Sequence, residues 1–330
     1  MNAPASTTNS LVMNPSAALR SQPLRDVLSA TSVCLRKDVL NRGFVEVIDI
    51  MPRLVDPSRI GVEAAIVDAA RVSYGGGTSR ISTDRDLLRY LLRHYHTTPF
   101  EKVALTFRVR APLFVARQWM RHRTGSFNEE SARYSEVVDE AYAPAPAEIK
   151  AQASGPLANR QVGDTLLGAE VCEAASAAVS NLWAVAHKIY LSLLAQGVAR
   201  EMARTVIPVS MYTTFVWKVD LWNLFHFLNL RMAPHAQEQI RVYGQAIHAL
   251  LQGIAPEACS AFDDYIQSSM RLTRLETEAI RAACASGAPL TTAEISSKNR
   301  RERSEWHAKR VYLFGPAEAQ ADQQEKEYKE

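Results

Sequence analysis

Between residues 103 and 110 the chain alternates between two kinds of side chain. Val103, Leu105, Phe107 and Val109 stand against Ala104, Thr106, Arg108 and Arg110. A period of two places each set on its own face of an extended strand, so the segment predicts a strand with one face in a core and the other toward solvent. One-sided burial is typical of antiparallel sheets, because parallel sheets are covered on both faces. Two further segments read as strands. Residues 44–51 are rich in Val and Ile and stop at Pro52, and residues 209–219 carry Tyr212, Phe215 and Trp217.

Helical stripes separate these strands. Asp56 to Ser58 caps a helix through Val62, Ile66 and Ala70, and the glycines at 75–77 break the chain. Thr83 and Asp84 open a helix whose stripe is Leu87, Leu88, Leu91 and Leu92. Pro112 suits a first helical turn, and the helix continues to Met120. Residues 143–162 read as a surface connection, followed by a long helix from about residue 165 to 196 that Gly197 stops. Asp220 caps the stripe Leu221, Leu224, Phe225 and Leu228, and helical patterning resumes over 235–251 and beyond Pro256. The order lacks a βαβα rhythm and there is no GxGxxG. The expected fold class is therefore α+β, a mainly antiparallel sheet covered by helices.

A formal net charge of +3 provides no general field for nucleic acid or membrane, so an anion site has to come from a local arginine cluster. Cys34, Cys172, Cys259 and Cys284 are far apart and form no CxxC pair, which argues for a reducing compartment and against a disulfide framework or zinc site. No apolar run reaches transmembrane length. The N-terminal residues lack the apolar stretch of a secretory signal; they are acid-poor with a few arginines, which leaves a transit peptide open, and the cytoplasm is the expected location.

Residues 117–134 concentrate the chemistry. Arginines suit bidentate capture of phosphate, serine hydroxyls add neutral donors, and Glu129 and Glu130 prevent a simple basic patch. Mixed donors and acceptors fit a ligand with phosphate at one end and polar ring edges at the other. A solvated helix end followed by a polar loop has the same composition. Arg117 and Arg121 are spaced i, i+4 and Gln118 and Arg121 i, i+3, so all three can share one polar face.

Arg121, His122 and Arg123, then seven residues, then Ser131 form the RHR-x7-S pattern of flavin-dependent thymidylate synthases, and the chain resembles that family over roughly residues 44–270. His96 to Glu101 is similar to its upstream H-x-x-P-F-E segment, and Ala111 to Trp119 to its lead-in helix. Arg200 to Arg204, Asn229 to Arg231, and His235 to Gln237 follow in the family's order. The resemblance implies a catalytic domain over 44–270, a flexible N-terminal arm over 1–43 and a helical, polar extension over 271–330. It also implies reductive methylation of dUMP, with FAD as cofactor, NADPH as reductant, methylenetetrahydrofolate as carbon donor and no cysteine nucleophile. The family's homotetramers build each active site from several subunits, and neither a nucleic-acid polymer nor a membrane is an expected partner.

Residue roles follow from the same match. Gln118, Arg121, Glu129, Ser131, Arg133, Arg204 and Arg231 fall on dUMP positions, with Ser131 and Arg133 at the phosphate and Arg231 facing the uracil. Ser73, Thr98, Glu101, Arg121, His122, Arg123 and Glu129 fall on positions lining FAD, and His226 lies near the flavin ring. His96 and Tyr134 lie toward the folate side. Arg231, Ser131 and His96 are the residues assigned to the reaction. Met120 and Trp222 depart from the family's usual residues. Trp217 and Trp222 read as packing, and the basic residues at 298–303 as a solvated face. Two other readings compete: a nucleic-acid-binding module built on the arginine cluster, and an enzyme acting on a nucleotide phosphate without flavin.

Overall fold

The computed structural model describes residues 35–52, 61–74, 83–154 and 163–316. The helix cap expected at 56–58 and the glycine break at 75–77 lie outside the described residues, as does the chain before residue 35.

Two compact units divide the chain. The first takes Met1–Gln152 and Gln161–Ser268, and the second Ala153–Arg160 and Ser269–Glu330. Strands β1 (Arg36–Val39), β2 (Gly43–Met51), β3 (Ala104–Pro112), β4 (Ser126–Glu129) and β7 (Tyr212–Asp220) form a five-stranded sheet in the order β1-β2-β3-β7-β4. Every pairing in it is antiparallel. β5 (Lys150–Gln152) and β6 (Gly163–Leu166) form a separate antiparallel pair.

Strand β1 corrects the expected extent of the arm. Residues 36–39 pair with β2, and Val39 is buried. Arg36, Lys37 and Asp38 are exposed, as suits a sheet edge, where charge discourages pairing with other chains. A charged edge strand is compositionally indistinguishable from an arm. A second correction concerns Thr165 and Leu166, expected to open the long helix and found in β6.

In β3 and β7 the alternation is realised. Leu105, Phe107 and Val109 face Val219, Trp217 and Phe215 across the ladder, and all six are buried. The helices α1 (Ala64–Arg71), α2 (Asp84–Arg93), α3 (Leu113–Trp119), α6 (Leu221–Arg231), α7 (Glu238–Ile254) and α8 (Pro256–Phe262) contribute to the same core. Thr83 accepts from Asp86 N and Asp220 from Asn223 N, so both expected N-caps form. Trp119 is fully buried, edge-on to Phe215 and Trp217 with ring centres 5.4 Å away. Phe227 lies 4.8 Å from it. Aromatic pairs of this kind are each worth about 0.5–1.5 kcal/mol beyond the area they bury. Trp217 is a packing residue, as expected.

The helix α4 (Ala169–Ala195) ends at Gly197, whose φ of +84° is strained for any residue with a Cβ. Trp183, His187 and Tyr190 face inward from α4, whereas Val171, Leu182, Val185 and Ile189 are exposed. The short α5 (Arg200–Ala203) follows. No helix among the described residues is long and apolar enough to cross a membrane.

The second unit has its own small core. Trp306, in α10 (Arg300–Phe314), is fully buried and donates to Ala293 O at 2.7 Å. In α9 (Arg274–Ser286), buried Glu276 receives Lys309 Nζ at 2.9 and 3.0 Å. Arg300, Arg301 and Arg303 are exposed, so the basic segment is a solvated face.

Candidate active site

Pro112 ends β3 and serves as the N-cap of α3, placing Gln118 in that helix's last turn. The helix stops at Trp119. Arg121 N then bonds to Gln118 O at 3.3 Å and His122 N to Trp119 O at 3.0 Å, a tighter turn. The continuous face expected for Arg117, Gln118 and Arg121 is therefore not formed. Two anchors explain this. Trp119 is locked in the core, and Gly125 lies so close to β7 that a Cβ would sit 2.4 Å from the Trp217 indole nitrogen. The residues between must reverse the chain. β4, which sequence reading missed, then stacks Phe127 on Trp217 with ring centres 6.0 Å apart.

This turn carries His122 to the C-terminal end of α6. Arg231 Nε donates to His122 Nε2 at 2.9 Å. The His122 ring lies 4.9 Å from Phe227 and 5.9 Å from His226, centre to centre. Burial, then the charges of Arg231 and His226, hold His122 down at about 4, so its imidazole is neutral near pH 7. Burial also lowers the Arg231 pKa. Apart from the bond at Nε, Arg231 has no hydrogen bond or ion pair among the described residues, so its terminal nitrogens remain uncommitted.

Gln118 is also fixed. Its Nε2 donates to Gln237 Oε1, Gln237 Nε2 donates to Gln239 Oε1 at 3.0 Å, and Gln239 Nε2 donates to the Tyr142 hydroxyl at 3.0 Å. Glu129, at the end of β4, accepts from Thr213 Oγ1 at 2.7 Å.

Ser131 and Arg133 occupy the loop after β4. Ser131 Oγ accepts from Arg133 N at 3.3 Å, and Arg133 Nη2 pairs with Glu201 Oε2 at 2.9 Å. Arg200 Nη2 pairs with Glu136 at 3.2 Å, so α5 is tied to this loop twice. Arg204 is exposed just beyond α5. The side chains of Arg121, Arg123 and Arg204 make no hydrogen bond or ion pair among the described residues. Glu201 was not singled out from the sequence, although it stands within the segment that supplied Arg204.

The remaining expected residues lie on exposed surface. Ser73 is in a short turn after α1, and His96, Thr98 and Glu101 are between α2 and β3. Thr97 Oγ1 donates to Glu101 at 3.0 Å, and the His96 ring is 5.9 Å from Tyr90. Within one chain the contacts thus join Gln118, His122, His226 and Arg231 to their partners near α3 and α6. They join Ser131 and Arg133 to α5, and the 96–101 segment meets α6 through Phe100, whose ring lies 6.3 Å from that of Phe225.

His248, Cys259 and Asp263 bring possible ligand atoms within 4.8 Å of one another. His248 Nε2 and Asp263 Oδ1 already bond at 2.7 Å, and burial, then Asp263 and Glu63, push the Cys259 thiol up to about 12. This cluster reads as a hydrogen-bonded histidine–aspartate pair beside a packed cysteine.

The family described as thymidylate synthase complementing protein matches residues 53–257. A flavin-dependent thymidylate synthase of Dictyostelium discoideum is 44% identical over 281 residues, covering 85% of this chain and 88% of that protein. One from Thermus thermophilus is 46% identical over 243 residues, covering 74% and 84%. Among solved structures, the UMP/dUMP methylase PolB from Streptomyces cacaoi bound with 5-Br UMP is similar, with a TM-score of 0.60 and 33% identity. That similarity spans 71% of this chain and 99% of that one. The chain belongs to the flavin-dependent thymidylate synthase family.

Proposed function

We propose that this chain converts dUMP to dTMP, with methylenetetrahydrofolate as carbon donor, FAD as the redox group and NADPH as its reductant, in an assembly of several copies of the chain. The observation that carries the reading is Arg231, a partly desolvated cation held by a neutral partner and not by a carboxylate. Methylation at C5 of uracil requires that carbon to act as a nucleophile. Electron density then accumulates on the ring and its carbonyl oxygens, where an unneutralised guanidinium stabilises it most.

Binding roles divide by charge. Arg204 and Arg133 take the phosphate with Ser131, while Gln118, Arg121 and Glu129 complete the dUMP site. The donor set also fits a flavin dinucleotide. Arg121 and Arg123 are exposed cations without internal partners, suited to its phosphates, and Ser73, Thr98, Glu101, His122, Glu129 and His226 add hydroxyl, carboxylate and ring contacts. Bound FAD would supply the hydride equivalents of the reduction. His96 and Tyr134, both exposed, are assigned to the folate side.

No cysteine is assigned to the reaction. Cys172 and Cys259 are buried, Cys284 lies in the second unit, and Cys34 lies outside the described residues. The catalytic unit is taken as residues 44–270 together with the edge strand β1, with the C-terminal extension outside it. Sharing of sites between copies is supported by the exposed apolar residues of α4.

The purified protein should be yellow with an oxidised-flavin band. It should form dTMP only when dUMP, methylenetetrahydrofolate and NADPH are all supplied. A protein that stays colourless after incubation with FAD and forms no dTMP contradicts the reading.

A further inference from the structure

We propose that His122 is a positioning residue for Arg231, holding the guanidinium through Nε so that both terminal nitrogens, and the whole positive charge, are presented to the uracil ring. The inference rests on the reading above that Arg231 faces the base, and it assigns His122 a task distinct from lining the flavin.

The geometry is specific. Arg231 is the last residue of α6, and His122 follows α3 on the tight turn beyond Trp119. They lie 109 residues apart in sequence, yet Arg231 Nε and His122 Nε2 are 2.9 Å apart. Because Arg Nε has a hydrogen and no lone pair, it must donate, so His122 Nε2 must accept. The imidazole proton is then on Nδ1 and the ring is uncharged. The ring itself is fixed by its edge-on contact with Phe227, a buried member of α6.

A guanidinium offers five N–H groups: one on Nε and four on its terminal nitrogens. A partner at Nε fixes the plane of the group and leaves the other four for a ligand. A carboxylate there would orient the group equally well. It would also form an ion pair and offset the charge that the developing uracil anion needs. A neutral imidazole orients without neutralising. That difference gives a physical reason for a histidine at this position.

The surroundings keep the ring neutral. The titratable groups facing it from α6 are Arg231 and His226, and Arg121 and Arg123 flank it on its own segment. None is an anion. Protonation would set two cations at hydrogen-bond distance and remove the lone pair that holds Arg231.

The test uses the full-length, flavin-loaded enzyme with His122→Ala, His122→Gln, His122→Glu and Arg231→Ala. Three quantities are measured for each: flavin content, dUMP affinity by calorimetry, and kcat per bound flavin at saturating dUMP. His122→Ala should lower kcat per bound flavin by roughly ten- to a hundredfold, the scale of a misplaced catalytic group, and weaken dUMP binding less. His122→Gln keeps a neutral acceptor and should recover most of the rate. His122→Glu should bind dUMP and still turn over slowly, because its charge offsets that of Arg231. Combining His122→Ala with Arg231→Ala should cost no more than Arg231→Ala alone. The inference is overturned if His122→Ala keeps the parental rate per bound flavin, or if Ala and Gln are equally slow. It is also overturned if activity is lost only in proportion to flavin. If Arg231→Ala itself binds dUMP and turns over like the parent, the underlying placement of the substrate fails instead.

Discussion

Arg133 and Arg204 are both exposed, but only Arg133 has an internal partner, Glu201. The difference allows their contributions to be ranked. A charge-assisted hydrogen bond contributes about 1.5–3 kcal/mol, and about 1.4 kcal/mol corresponds to tenfold in affinity. Arg204→Ala should therefore weaken dUMP roughly ten- to a hundredfold. Arg133 must share or release Glu201 when phosphate arrives, and an exposed ion pair is worth about 0–1 kcal/mol. Arg133→Ala should cost the same or up to about fivefold less. Flavin content should change little in either variant, and dUMP titration followed by calorimetry checks both. Parental affinity in both variants would remove the phosphate from this loop. The arginines and Gln118 themselves were legible because residue type and spacing carry them. Their partners were not: Glu201 lies 68 residues from Arg133 and Gln237 lies 119 from Gln118, separations that only the fold closes.

Elements were legible where their pattern was long. The strand at 104–112 announces itself by alternation, and the helix at Leu221–Arg231 by its cap and stripe. β4 spans four residues with one apolar side chain, Phe127, too short for any period, and its pairing is fixed instead by β7. β1 was hidden by its charged edge. Its contribution is measurable by truncation. A chain beginning at Leu35 should melt like the parent. One beginning at Gly43 loses the β1 ladder, the burial of Val39 and the Tyr212 hydroxyl bond to Asn41 at 2.6 Å. Burying a valine is worth about 1.5–3 kcal/mol and a hydrogen bond about 1 kcal/mol. The melting temperature of the shorter chain should fall on the order of 5–15 °C. Equal melting of the two truncated chains would show that β1 adds nothing to the sheet.

For the whole molecule, the sequence leaves the assembly to resemblance alone, because α4 reads as an ordinary long helix. In the fold its polarity is unusual. Val171, Leu182, Val185 and Ile189 recur at helical spacing and are 45–59% exposed, while Trp183, His187 and Tyr190 hold the opposite face. Trp183 Nε1 donates to Asp139 at 2.7 Å and Val137 N donates to the Tyr190 hydroxyl at 3.1 Å, so the inner face grips the segment that follows the Ser131 loop. A second copy of the chain laid on the outer face would bury the apolar stripe, as helices with such stripes do. Changing Leu182 and Val185 together to Glu places two charges in that contact, where each has no partner and a desolvation cost of several kcal/mol. Both sites are solvent-exposed within one chain, so the fold of the single chain should survive. Size-exclusion chromatography with light scattering should give a multimer for the parent and a smaller species for the double variant. dTMP formation should fall with the assembly, while the circular dichroism spectrum stays parental. A variant that keeps the parental mass shows that α4 is not the contact, and a smaller species with full activity shows that the site is complete within one chain.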